Sequence, residues 1–328
     1  MRVFSLLLAA VCVACTSTSS LPPSAYITRA FVIPDPVFVP EGIAYDPRGR
    51  AFFVGSTWQR RIVRVGARGA QTDFAPRGGD SLLGVLGMQV DAERRLLWAA
   101  HATAGAAMPI RGDNSEGRSG LALIDLNTGG LIRNLVPPDD ALHFLNDIAL
   151  ASDGAVYVTD SITGTIYRAG PNATALTPLL TLPSGGNGIA LTPNEDVLYV
   201  ADAGDGAFRV DLATRAFVRL ETPEGVEIGA DGFYLYEGDL IAIQPYSDDC
   251  RVCRFTLDAT GTRVVSQRAL ATTNADFLQP TTGVIVGDDI YVIANAQLQH
   301  FRRLWAQHQG EPPRETLHNI VILRIPLD

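Results

Sequence analysis

Six segments of the chain repeat one pattern, and together they predict an all-β fold: a six-bladed β-propeller of four-stranded blades with mixed N- and C-terminal ring closure. Two further observations support this. Gly 31 and Pro 20 make the chain turn-rich, which suits many short strands. Hydrophobic residues are 47% and charged residues 19%, a balance that builds a packed core and excludes a disordered chain.

The chain opens with an address. Met1–Arg2 precede an apolar run from Val3 to Ala14, and Cys15 and a Ser/Thr-rich stretch follow. That run is too short to span a bilayer and reads as a secretory signal. Small Ala14 before Cys15 resembles a bacterial lipobox, although Cys12 stands where Leu or Val is usual. Residues 1–15 are thus expected to be a signal peptide ending at a lipidated Cys15, 16–24 a tether, and 25–328 a single propeller. The expected location is the periplasm or the outer membrane, as a lipoprotein whose only membrane contact is the lipid. The alternative is ordinary cleavage nearby and a soluble exported protein.

The repeats then follow in order: Glu41–Ser56 (EGIAYDPRGRAFFVGS), Leu86–Ala102 (LGMQVDAERRLLWAAHA), Asn146–Ser161 (NDIALASDGAVYVTDS), Asn187–Ala203 (NGIALTPNEDVLYVADA), Asp231–Gln244 (DGFYLYEGDLIAIQ) and Thr282–Ala296 (TGVIVGDDIYVIANA). Each reads as an innermost strand, a turn and a second strand. Runs such as RIVRVG, LALIDLNT, GTIYRA, FRVDLAT and VCRFTLD supply third strands, and Leu176–Leu182 is an outer fourth strand. The only spare strands, Ala25–Pro34 and Asn319–Pro326, are expected to pair in one blade and so hide the sheet edges. Two long loops, Ala102–Ser119 and Phe301–His318, read as lids or binding loops. Cys250 and Cys253 are either a small loop staple or two free thiols, and a bridge requires a turn between them.

The segments PEGIAYDPRG, LNDIALASDGAVYVTDS, GNGIALTPNEDVLYVAD and GADGF resemble the six-bladed family of gluconolactonase, regucalcin (senescence marker protein), paraoxonase and strictosidine synthase. The resemblance runs from about Pro40 to Leu327.

In a propeller the residue before each innermost strand faces its counterparts across the channel. Here these are Glu41, Leu86, Asn146, Asn187, Asp231 and Thr282. Two carboxylates and two amide carbonyls suit Ca²⁺ and lack the His or thiolate that zinc or copper wants. The resemblance implies a catalytic divalent metal, usually calcium, on Glu41, Asn146, Asn187 and Asp231; the alternative is a hydrogen-bonded polar plug. Asp147 stands where most blades have Gly. An Asn-Asp pair in paraoxonase-like members implies a second metal there, and a hydrogen-bonded Asp is the competing reading. His101 resembles the catalytic-region His of paraoxonases and is a general-base candidate beside Asp231; the alternative is a satisfied His at the rim. His143, Asp160, Asp202 and Trp305 are candidates for the substrate pocket, with Asp160 and Asp202 also suited to bracing their turns.

A net charge of −9 leaves no basic face for nucleic acid. The chain has no lysine, which excludes Schiff-base chemistry, and no GxSxG elbow, which argues against a serine hydrolase. The expectation is an exported, calcium-dependent monomer hydrolysing a lactone or related ester through attack of an activated water. The rival is a non-catalytic propeller that binds a sugar, metabolite or protein partner at the same mouth.

Overall fold

A computed structural model describes residues 26–75, 82–103, 118–202, 206–247, 251–308 and 314–328. The signal segment, Cys15, Cys250 and most of the Ala102–Ser119 loop lie outside these residues. Among them no helix is long and apolar enough to cross a membrane.

The strands form six four-stranded antiparallel sheets, arranged as the predicted six-bladed propeller. Blade 1 has its innermost strand at Pro40–Asp46 and runs outward through Ala51–Ser56, Ile62–Gly66 and Gln71–Ala75. The innermost strands of blades 2 to 5 are Gly84–Asp91, Leu145–Leu150, Gly186–Leu191 and Gly232–Tyr236, and each is followed outward by its next three strands in chain order. Blade 6 alone is mixed. Its order from the axis is Gly283–Val286, Asp289–Ile293, Ile320–Pro326 and Thr28–Ile33. The N-terminal strand pairs with the C-terminal one from Thr28↔Arg324 to Ile33↔Ile320, as the two spare strands led us to expect.

The core is divided by the ring. Six apolar clusters form, and each lies between two adjacent blades. Strand alternation explains this: one face of every sheet turns to the preceding blade and the other to the next, so both faces are apolar. Phe53, for instance, packs toward blade 2 with Met88 and Leu97, whereas Val54 packs toward blade 6 with Ile293 and Ile322.

One element differs from the expectation. Leu298–His308 is a helix, not an irregular loop. Its apolar residues Leu298, Phe301, Leu304 and Trp305 recur at helical spacing and pack on the blade 6–blade 1 core. Phe301 and Trp305 stack against Trp58, with ring centroids 5.0 and 6.2 Å away.

Deleting Val321–Asp328 removes the third strand of blade 6 and strips partners from both Asp289–Ile293 and Thr28–Ile33. The truncated chain is expected to aggregate, because two sheet edges open at once. Size-exclusion chromatography checks this, and a monomeric truncation of unchanged melting temperature refutes it.

Candidate metal centre

The site is built at the point where the six innermost strands meet. In blades 1 to 4 each of these strands carries a register shift across the opening pair: between Pro40 and Ile43, Val85 and Met88, Leu145 and Ile148, and Gly186 and Ile189. Such a bulge kinks the strand and re-aims a side chain. The bulges hold Glu41, Leu86, Asn146 and Asn187, while Asp231 and Thr282 immediately precede the regular strands of blades 5 and 6.

In blades 1 to 5 the residue after the opener packs against the next blade. A Cβ on Gly42 would stand 1.9 Å from the Leu86 carbonyl oxygen, and one on Gly87 would stand 2.6 Å from that of Asn146. Only glycine allows backbones that close. Thr282 closes the circle by donating its hydroxyl to the Glu41 carbonyl.

The structure brings Glu41, Asn146, Asn187 and Asp231 together. All four line one cavity of about 190 Å³ with Phe144, Pro245, Tyr246, Gln279, Leu298, Gln299 and Arg302. Asn187 Nδ2 donates to Asp231 Oδ1 at 3.0 Å, and Asn146 Nδ2 donates to Ser161 Oγ at 3.0 Å. These bonds spend the amide nitrogens and leave both amide oxygens available. Two oxygens of the set, Glu41 Oε2 and Asn187 Oδ1, are buried without any hydrogen-bond partner. Burial drives the Glu41 carboxyl well above its ordinary range, and repulsion from Asp231 adds to this against the pull of Arg302. Burial likewise raises Asp231 to about 6, opposed by the Asn187 hydrogen bond.

Two carboxylates and two amide oxygens line one cavity, two of these oxygens unpartnered, and such a donor set would suit a hard divalent cation. Among the described residues no group of three His, Cys, Asp or Glu is close enough to hold a metal, so a metal here would depend on the asparagines. Leu86 is fully buried in the blade 2–blade 3 cluster, which takes it out of the cavity.

Asp147 lies behind this ring. Its Oδ1 accepts from Ile148 N–H at 2.9 Å and its Oδ2 from Ile189 N–H in blade 4 at 3.3 Å. Burial raises it to about 7, although both hydrogen bonds oppose the rise. Where the other blades use Gly, blade 3 therefore uses a carboxylate as an inter-blade clasp.

The structure does not bring His101 to the mouth, contrary to the sequence expectation. Gly120 opposite it has no side chain, and the imidazole occupies that space: a Cβ on Gly120 would stand 2.9 Å from the ring. The ring thus points outward along the sheet. Its Nδ1 accepts from Leu83 N–H at 3.4 Å, and its Nε2–H faces Asn134 Oδ1 on the outer strand at 2.8 Å. Burial lowers it to about 4, and the Arg118 and Arg60 charges lower it further against the Asn134 bond. This is the satisfied histidine.

His143 and Asp160 bind each other, with Nδ1 2.6 Å from Oδ2, and neither lines the cavity; their neighbour Phe144 does. Asp160 Oδ1 accepts from the Phe144 and Ile162 amides and Oδ2 from the Thr163 hydroxyl, so it braces its turn. Asp202 ends the second strand of blade 4, where its carbonyl accepts from Ala230 N–H at 3.1 Å, and it is not a cavity residue. Trp305 also misses the cavity: it anchors the lid helix on Trp58. Cys253 is disulfide-bonded. Sequence reasoning did not single out Arg302, which lies inside the Phe301–His318 segment expected to be a loop, nor Leu298 and Gln299 just before it; the three roof the site from the helix. The spacing of Leu298, Phe301 and Trp305 was the available signal.

The SMP-30/gluconolactonase/LRE-like family profile matches residues 39–217, more than half of the chain. The chain belongs to this family. No curated protein matches. Solved structures do, at identities that speak to the fold. A gluconolactonase from Xanthomonas campestris is 17% identical, with a TM-score of 0.63 over 92% of this chain and 89% of that one. A luciferin-regenerating enzyme is 15% identical, with a TM-score of 0.61 over 89% and 92%. The PQQ-bound aldose sugar dehydrogenase of Streptomyces coelicolor is 16% identical, with a TM-score of 0.56 over 91% and 98%.

The raised carboxyls make a pH prediction. Without metal, the folded chain holds protons on Glu41, Asp231 and Asp147 more tightly than the unfolded chain does. The stability these groups contribute is therefore present below about pH 4 and lost as pH rises through about 6 to 7. Calcium needs the ionised forms, so the rise in melting temperature on adding calcium to chelated protein should grow across that window. At 100 times its dissociation constant, calcium should stabilise the chain by about 2.7 kcal/mol. Melting curves that ignore both calcium and chelator would remove the metal from the site.

Proposed function

We propose that this family member is a calcium-dependent hydrolase of a lactone or related ester. The observation that carries the reading is the convergence of Glu41, Asn146, Asn187 and Asp231 on one cavity with two oxygens buried and unpartnered. The family and the gluconolactonase-like fold support the reaction class.

When bound, calcium supplies Lewis-acid polarisation of the carbonyl and charge compensation for the developing oxyanion. Glu41, Asn146, Asn187 and Asp231 would hold it by their side-chain oxygens. Asp231 has one oxygen tied to Asn187 and thereby oriented, so its other oxygen is the group in the cavity suited to take a proton from the attacking water. His101 has no part in this step, because both ring nitrogens are engaged away from the cavity. Phe144, Pro245 and Leu298 present apolar surface that excludes bulk water and strengthens the electrostatics inside. The N-terminal stretch supports export, with Cys15 as the lipid anchor, residues 16–24 as the tether and a monomeric propeller beyond it.

The test is turnover of a panel of five- and six-membered lactones with calcium and with chelator. Wild-type turnover should vanish with chelator and return with calcium. Asp231→Asn should lower kcat about 10²- to 10⁴-fold, and Glu41→Gln should chiefly weaken calcium binding. Chelator-insensitive turnover, or full activity in a folded Asp231→Ala protein, refutes the mechanism.

A further inference from the structure

We propose that Arg302, on the lid helix, recognises a carboxylate on the substrate, so that the site takes an anionic lactone or ester. This rests on the hydrolase reading above and narrows it.

Packing sets the direction of Arg302. Phe301 is fully buried and, with Trp305, locks the helix against Trp58, which turns Leu298, Gln299 and Arg302 toward the cavity. The helix start is pinned by reciprocal bonds: Gln297 Nε2 donates to the His318 carbonyl and His318 N–H donates to Gln297 Oε1, both at 2.9 Å. Gln299 N–H donates to Gln279 Oε1 at 3.0 Å and its Nε2 to Tyr246 Oη at 3.1 Å. Gln279 and Gln297 hold left-handed backbone, with φ of 62° and 59°. Strain of this kind persists where the surroundings impose it. The lid is therefore preorganised.

The guanidinium it presents has no mate. Arg302 is half-buried, its Nη2 is fully buried without a hydrogen-bond partner, and it forms no ion pair among the described residues. Arg61, Arg95 and Arg254, by contrast, reach carboxylates at 3.1, 2.8 and 2.6 Å. A buried donor without an acceptor is costly, and a planar guanidinium matches a carboxylate with two parallel bonds. Glu41 acts on Arg302 from across the cavity but does not contact it. With a divalent cation in place, Glu41 and Asp231 balance that ion, and Arg302 is the surplus positive charge in the wall. The cavity of about 190 Å³ corresponds to roughly six waters. That suits a small ring with its reacting carbonyl toward the oxygen donors and one carboxylate toward the helix.

The test uses the calcium-loaded full chain and two non-hydrolysable probes, tetrahydrofuran-2-carboxylate and tetrahydrofurfuryl alcohol, with binding read by calorimetry. Wild type should bind the carboxylate at least tenfold more tightly. Arg302→Gln should abolish that preference and Arg302→Lys should keep part of it; melting curves verify that both fold. Equal binding of the two probes by wild type, or a preference that survives Arg302→Gln, overturns the inference. Turnover of γ-butyrolactone and 5-oxotetrahydrofuran-2-carboxylate is read separately. A carboxylate preference that depends on Arg302, with neither lactone hydrolysed, sustains the role of Arg302 and overturns the hydrolase reading. Turnover of both lactones at equal kcat/KM in wild type and in Arg302→Gln overturns the role of Arg302 and leaves the hydrolase reading in place.

Discussion

Six innermost strands must approach to backbone contact around one axis, and most of the molecule follows from that requirement. Side chains cannot fill the gap between neighbouring strands there, so the residue after the opener is Gly in five blades. The carbonyl of Leu86 lies where a Cβ of residue 42 would be, and that of Asn146 crowds the same place beside Gly87. The sixth position, Asp147, succeeds without Gly only because its carboxylate fills both backbone donors that it meets, Ile148 N–H and Ile189 N–H. In blades 1, 3 and 4 the bulge that lets the strand turn into this crowded ring also holds the opener that lines the cavity. Close packing and the convergence of oxygen donors therefore have one cause.

The same crowding sets the electrostatics. Glu41 and Asp231 are brought into one cavity and neither has an ion pair among the described residues. Burying carboxylates without compensation is costly, and the chain expresses that cost as raised proton affinity. A cation would relieve it. Arg302 sits near enough to Glu41 to pull its proton affinity down, yet too far to pair with it. The site thus keeps its anionic floor and its cationic wall separate.

The blades and the ring were legible in the sequence because they repeat. Six in-phase segments specify the axis, the openers and the direction of each second strand, and the two unassigned strands could pair only with each other. The metal-ligand candidates were readable for the same reason. What the repeat could not give was the orientation of a side chain at the far end of a strand. His101 stands at the right level for the mouth, but the vacancy above Gly120 draws its ring outward to Asn134, and that depends on a residue in another strand. Asp160 and His143 are likewise consumed by each other. The lid helix interrupts the repeat and was read as a loop, and with it Arg302 went unseen.

The division between core and ring also explains how one fold accommodates different chemistries. The six inter-blade clusters are made from the sides of the sheets, and of the six openers only Leu86 belongs to one. Glu41, Asn146, Asn187, Asp231 and Thr282 contribute no apolar packing, so changing them alters the axis without hollowing the core. The lid is nearly as modular: Phe301 and Trp305 hold it to the blade 6–blade 1 core, Gln299 and Arg302 face the cavity, and Leu298 does both. A gluconolactonase and a PQQ-bound sugar dehydrogenase share the architecture, so the fold by itself does not fix the chemistry. In this chain the openers supply oxygen donors and the cover supplies a guanidinium, so the proposed chemistry and the proposed choice of substrate rest on two separable elements.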